Sequence, residues 1–200
     1  MGSFTTLKAT DGHELKAYIA SPEGTPKGAI VVVQEIFGVN AHVRSVADGY
    51  AKDGFLAIAP ALFDRYERSL ELKYDGEDKQ KAYDIYGKLN PDTALLDIAA
   101  AFAEVAQPGN AQPVFKTGVL GFCWGGLMSW LTATRAATVG IHPACAVAYY
   151  PGGIGKFATE QPTCPVMVHV GKEDTHIAGE QLDAVRQAHP ESEVEIYRYE

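Results

Sequence analysis

The sequence predicts an α/β protein, with a mostly parallel, doubly wound sheet preceded by an antiparallel hairpin. Three observations carry this expectation. Unbroken apolar runs of strand length recur along the chain, as expected of strands buried on both faces. Segments of helical periodicity lie between them. The opening segment instead reads as two strands joined by the turn pair Asp11-Gly12.

The hairpin strands are placed at Phe4 to Ala9 and Glu14 to Ala20, with a Pro/Gly loop over Ser21 to Lys27. The apolar runs follow at Ala29 to Val33, Phe55 to Ala59, Thr117 to Leu120, Ala144 to Ala148 and Val166 to Val170. Glu193 to Tyr199 alternates and reads as a last strand. Helices are expected over Val43 to Lys52, Lys79 to Lys88, Pro91 to Val105, Leu127 to Ala137 and Ala178 to Ala188. Pro91, followed by Asp92, suits a helix start. The whole of 1–200 reads as one domain.

Composition narrows the function. The chain is 46% apolar and 21% charged, within the ordinary globular range. A net charge of -8 argues against nucleic acid or an anionic membrane as partner. No apolar run approaches the roughly 18 residues a membrane span needs. The chain opens without a signal-peptide pattern. Its three cysteines lack CxxC spacing, which suits a reducing cytoplasm and no zinc site. Walker A, HExxH and EF-hand patterns are absent, and Gly152-Gly153-Ile154-Gly155 is too short for a dinucleotide fingerprint. No cofactor or metal is expected.

Sites in doubly wound sheets lie beyond the carboxyl ends of the strands. After Leu120 comes Gly121-Phe122-Cys123-Trp124-Gly125-Gly126. Gly-x-Cys-x-Gly between a strand and a helix is a nucleophile elbow with cysteine as the nucleophile. The glycines let strand and helix approach closely. The helix N-terminus is aimed at the sulfur, which is expected to lower the thiol pKa below about 8.5. The Trp124 N–H is placed to meet a developing oxyanion. Cys145, inside an apolar run, and Cys164, before Pro165, read as structural.

Asp174 follows a strand and a glycine, after the nucleophile in chain order, where an α/β-hydrolase carries its acid. A turn or helix-capping aspartate is the alternative. Glu173 beside it is expected to be exposed. Glu35 ends a buried strand, where a carboxylate needs a partner. It either polarises the Cys123 thiol or holds the sheet in a salt bridge.

Together Gln34-Glu35-Ile36-Phe37-Gly38-Val39-Asn40, Phe55 to Phe63, Gly121 to Gly126 and Gly171 to Asp174 resemble the dienelactone hydrolase family of the α/β-hydrolase superfamily. The resemblance implies an α/β-hydrolase fold and a cysteine acyl-enzyme that cleaves small lactones or esters. It implies Cys123 as nucleophile, Asp174 as acid and Glu35 as the carboxylate that touches the resting thiol. It implies Ile36 and Trp124 as backbone oxyanion donors. Tyr83, Lys79 and Phe37 would meet the substrate; Lys79 stands where the family has an arginine, trading a bidentate fork for a point charge. A monomer is the family's ordinary state.

The family's triad histidine follows the last strand. The six histidines here are His13, His42, His142, His169, His176 and His189, and none is at that position. His176 is too near Asp174 to reach both the acid and the thiol. His169 reads as a core residue, His42 as a candidate for the pocket rim, and His13, His142 and His189 as turn or loop residues. A piece of a longer protein, lacking one loop and a terminal helix, is the first reading. A degenerate relative is the second. Residues 1–200 are therefore expected to turn over poorly. The competing functions are a thioesterase or general carboxylesterase on this scaffold, and a non-catalytic binding protein.

Overall fold

The computed structural model describes residues 2–106, 116–177 and 179–200. Eight strands form one sheet: β1 (Ser3–Lys8), β2 (Glu14–Ala20), β3 (Ala29–Val33), β4 (Leu56–Pro60), β5 (Thr117–Phe122), β6 (Ala146–Tyr149), β7 (Val166–Gly171) and β8 (Val194–Tyr199). Their order is β1-β2-β4-β3-β5-β6-β7-β8. The β1–β2 and β2–β4 pairs are antiparallel and every other pair is parallel. The expected doubly wound sheet with its N-terminal hairpin is present.

Five helices are described: α1 (Ala41–Lys52), α2 (Gly76–Tyr86), α3 (Pro91–Val105), α4 (Trp124–Arg135) and α5 (Gly179–Ala188). Ala178, where the sequence pattern starts the last helix, lies outside the described residues. α2 begins three residues earlier than its apolar pattern implies, because Glu77 and Asp78 suit a first helical turn. α4 likewise starts three residues before the expected Leu127, at Trp124, with Gly125 and Gly126 inside its first turn.

Sequence spacing decides which face each element buries. Val31, Val33, Val119, Ala146, Ala148, Val166, Val168 and Val170 point to one face and pack under α3, α4 and α5. Val32, Ala57, Ala59 and Leu120 point to the other and meet Val43, Ala47 and Ala51, the four-residue stripe of α1. α1 covers only the first half of that second face. Over the remaining strands the same face carries an in-register row of rings. Phe122, Tyr149, His169 and Tyr197 stack successively at 5.0, 4.9 and 5.1 Å. His42 of α1 meets the end of this row at Phe122, 5.5 Å away.

Two sequence expectations are corrected here. His169 is not a core residue: it lies half-buried in the ring row, with Nδ1 2.7 Å from the Tyr199 hydroxyl. His189, read as a loop residue, lies in the bend after α5 and is buried there, with Nε2 2.7 Å from the Ala158 carbonyl. Cys145 precedes β6 and is exposed, because the strand begins only at Ala146.

One buried ion pair ties the hairpin to the helical layer. Arg65, in a 3-10 turn after β4, donates from Nε and Nη2 to both oxygens of Asp97 on α3, at 2.7 and 2.8 Å. Its Nη1 reaches Asp11 in the hairpin turn at 2.8 Å. Asp97 is fully buried, and burial holds its carboxyl above the usual range despite the guanidinium. Arg65→Met leaves that carboxyl without a counter-charge and should cost about 3–5 kcal/mol at neutral pH in urea unfolding. An acid whose folded pKa exceeds its unfolded one favours the fold at low pH. The deficit should therefore shrink as the pH falls from neutrality toward the ordinary carboxylate pKa of about 3.9. A pH-independent deficit would contradict this account.

Candidate active site

The site forms where β3, β5, β6 and β7 end. Cys123 closes β5 with φ 55° and ψ -116°, a conformation rare for a side chain larger than glycine. Its N–H donates to the Tyr149 carbonyl at 3.0 Å, and its carbonyl accepts the first α4 bond, from Leu127, at 3.1 Å. The turn is made possible by two close backbone approaches. A Cβ on Gly121 would lie 2.2 Å from the Gly125 carbonyl oxygen. One on Gly125 would lie 2.4 Å from the carbonyl oxygens of Val33 and Gln34. Gly125 therefore seats the elbow directly on the end of β3.

That contact brings the loop after β3 to the thiol. Gln34, fully buried, accepts the Leu62 N–H at 3.1 Å through Oε1 and donates to the Glu35 carbonyl at 3.2 Å. Ile36 is buried, and its N–H has no hydrogen-bond partner among the described residues. The Trp124 N–H points at the Cys123 sulfur. These are the two amides expected as oxyanion donors.

The thiol's environment differs from the sequence expectation. Burial raises the Cys123 pKa above its ordinary value, and the Trp124 N–H only partly offsets this. Glu35 and Asp174 raise it further through their negative charge. The helix N-terminus is present, but desolvation outweighs it. Glu35 lies within the electrostatic reach of the sulfur yet does not hydrogen-bond to it. Its Oε2 accepts from the Tyr74 hydroxyl at 2.6 Å and its Oε1 from the Tyr150 hydroxyl at 3.2 Å. Among the described residues Glu35 makes no salt bridge either.

Asp174 serves the turn before α5. Its Oδ1 accepts the N–H groups of His176 at 2.8 Å and Ile177 at 3.2 Å. Its Oδ2 has no partner among the described residues. Glu173 is exposed. Among the described residues no histidine ring hydrogen-bonds to Cys123 or Asp174; His176 reaches Asp174 only through its backbone N–H. His176 and His42 are both exposed.

On α2, Ala82 and Ile85 face the core while Lys79, Tyr83 and Tyr86 are exposed. The last three share one helical stripe by their four- and three-residue spacing. Tyr86 is nearest the chemistry: its hydroxyl pKa is raised by burial and then by the Cys123 charge. Lys79, about 10 Å further along the stripe at 1.5 Å per residue, makes no ion pair among the described residues. Phe37 packs its ring on Tyr74, with centroids 4.4 Å apart. A shallow cavity of 290 Å³ beside the elbow is lined by Tyr149, Tyr150, His169, Val170, Gly171 and Tyr199.

Tyr74, Tyr86 and Tyr150 are the site residues that sequence reading missed. Tyr150 directly follows β6, so the strand-end rule that found the other candidates also pointed to it. Tyr74 and Tyr86 carry no comparable sequence signal. Among the described residues no cluster of His, Cys, Asp and Glu is arranged to hold a metal. No helix among them is long and apolar enough to cross a membrane.

Residues 15–200 match the model of the dienelactone hydrolase family. The chain is 32% identical over 195 residues to a Yersinia pestis protein assigned as a carboxymethylenebutenolidase, covering 92% of this chain and 70% of that one. It is 28% identical over 172 residues to the carboxymethylenebutenolidase of Pseudomonas putida, covering 84% and 70%. A Klebsiella pneumoniae protein assigned as a dienelactone hydrolase superposes with a TM-score of 0.81 at 26% identity, over 100% of this chain and 85% of that one.

The raised thiol pKa has a direct consequence. In a Cys145→Ser, Cys164→Ser background, Cys123 alkylation by iodoacetamide should rise with pH along a curve displaced above that of free cysteine. Glu35→Gln removes one of the charges and should move the curve down. A curve at or below that of free cysteine would show that the amide outweighs burial.

Proposed function

Because this chain belongs to the dienelactone hydrolase family of α/β-hydrolases, we propose that it cleaves small lactones or esters through a cysteine acyl-enzyme on Cys123. The elbow carries the reading. A non-glycine residue held at positive φ, with an amide on its sulfur and glycines beneath it, stores strain at one side chain. Strain of that kind, about 1–3 kcal/mol, persists at places where geometry serves chemistry.

The chemistry follows from the placement. The thiol loses its proton, and the thiolate attacks the substrate carbonyl carbon. Negative charge collects on the carbonyl oxygen, where the Ile36 and Trp124 N–H groups can donate to it. The ring C–O bond breaks, and the leaving oxygen takes up a proton while it stays tethered in the lactone case. Water then adds to the thioester, and the hydroxy acid leaves with Cys123 restored. In the family pattern a histidine after the last strand, oriented by the acid, moves these protons. The Oδ2 of Asp174, without a partner among the described residues, suits that acid. None of the six histidines takes that base position among the described residues.

Lys79 supports a substrate that carries a carboxylate. It is a cation without an ion-pair partner among the described residues, on the stripe that leads to Tyr86. Lys79→Ala should raise KM for a carboxylate-bearing lactone several-fold and leave kcat and neutral esters little changed. The decisive variant is Cys123→Ala. Lactone hydrolysis should fall by at least about a thousandfold. Full activity would exclude the acyl-enzyme. A panel of lactones, p-nitrophenyl esters and thioesters separates the lactonase from a general esterase or thioesterase.

A further inference from the structure

Glu35 is held by two phenols from two separate loops, and nothing in the elbow chemistry itself requires this. We propose that Tyr74 and Tyr150 are positioning residues that fix the Glu35 carboxylate beside Cys123 and moderate its negative field at the thiol. The proposal rests on Cys123 being the nucleophile.

The direction of the hydrogen bonds is settled by their neighbours. Asn40 caps α1, with Oδ1 accepting the Val43 N–H at 3.2 Å. Its Nδ2 is thereby turned to the Tyr74 oxygen, 3.3 Å away. That oxygen accepts from Asn40, so the Tyr74 proton goes to Glu35. The result is a continuous path from the α1 cap through Asn40 and Tyr74 to Glu35 and on to Tyr150. A phenol O–H aimed at a carboxylate oxygen brings its positive end against the charge and compensates part of it. Burial, then the bond to Glu35, pushes the Tyr74 hydroxyl up to about 12, and burial raises Tyr150 as well. Both phenols therefore stay protonated donors wherever the thiol reacts.

Each tyrosine is also fixed from behind. The segment before Tyr74 is stitched to the loop after β3 by Leu72 N–H to the Phe37 carbonyl at 2.9 Å and by a Gly38–Glu71 bridge. Glu71 is paired with Arg44 of α1 at 2.7 Å. Phe37 backs the Tyr74 ring. Tyr150 has φ 37°, a left-handed conformation unfavourable for an aromatic residue, with its N–H on the His169 carbonyl at 2.7 Å. The strained backbone holds its hydroxyl at Glu35.

The groups whose charge reaches Cys123 come from four elements. They are Glu35 after β3, Asp174 after β7, Tyr86 on α2 and Tyr150 after β6. None is a cation. Any weakening of the clamp on Glu35 therefore leaves a stronger negative field at the sulfur.

Alkylation of Cys123 reads that field directly, whether or not an ester turns over. In the Cys145→Ser, Cys164→Ser background, Tyr74→Phe keeps the ring and removes only the donor. It should slow alkylation at neutral pH by about threefold and displace the pH curve upward. Tyr150→Phe should act in the same direction. With Glu35→Gln already present, Tyr74→Phe should change nothing. An unchanged curve, with or without a lowered melting temperature, assigns the tyrosine a purely structural role and overturns the proposal. An equal displacement in the Glu35→Gln background overturns it too. If Cys123→Ala retained hydrolysis, the proposed function would fail while this measurement still decided the clamp.

Discussion

The site depends on one backbone contact, the seating of Gly125 against the carbonyls of Val33 and Gln34. It sets the distance between the elbow and the end of β3. With any side chain at position 125 the α4 N-terminus would have to lift off that strand. The Trp124 amide and the loop carrying Glu35 and Ile36 would then separate. The positive φ of Cys123 is tolerated because this contact, the Gly121–Gly125 approach and the Cys123–Tyr149 hydrogen bond fix the turn from three sides.

Whatever depends on local pattern was legible in the sequence. Ala29 to Val33 reads as a buried parallel strand because every position is apolar, and it is one. The elbow is legible because strand, glycine, nucleophile and glycine are contiguous. Boundaries failed where a residue type has two local meanings. The sequence pattern starts the helix after the elbow at Leu127, three residues late, because Gly125 and Gly126 lack helix propensity although they lie in α4. Cys145 reads as strand interior, but the run of apolar residues starts before the ladder does.

The site's finer design was not legible because it is tertiary. Tyr74 reaches Glu35 only because Gly38 and Glu71 bridge two loops, and no spacing rule connects positions 35 and 74. The resemblance supplied a glutamate at the thiol, but not that phenols occupy both its oxygens. Sign errors had a physical source as well. The elbow's dipole argues for a lowered thiol pKa, and that influence is present, yet sequence carries no measure of desolvation. Burial and two carboxylates turn the balance the other way.

That balance also says what kind of base the site suits. A negative field penalises a thiolate formed alone and leaves the resting sulfur protonated, which protects it from oxidation. The same field favours a cation created nearby. An imidazole that took the thiol proton would become an imidazolium, a cation whose charge would answer both Cys123 and Asp174. Glu35 acting as base would instead trade one anion for another, with no gain in charge balance. The clamp of Tyr74 and Tyr150 fits this division of labour. It keeps Glu35 near enough to shape the field, and occupied enough that it does not hold the thiol itself.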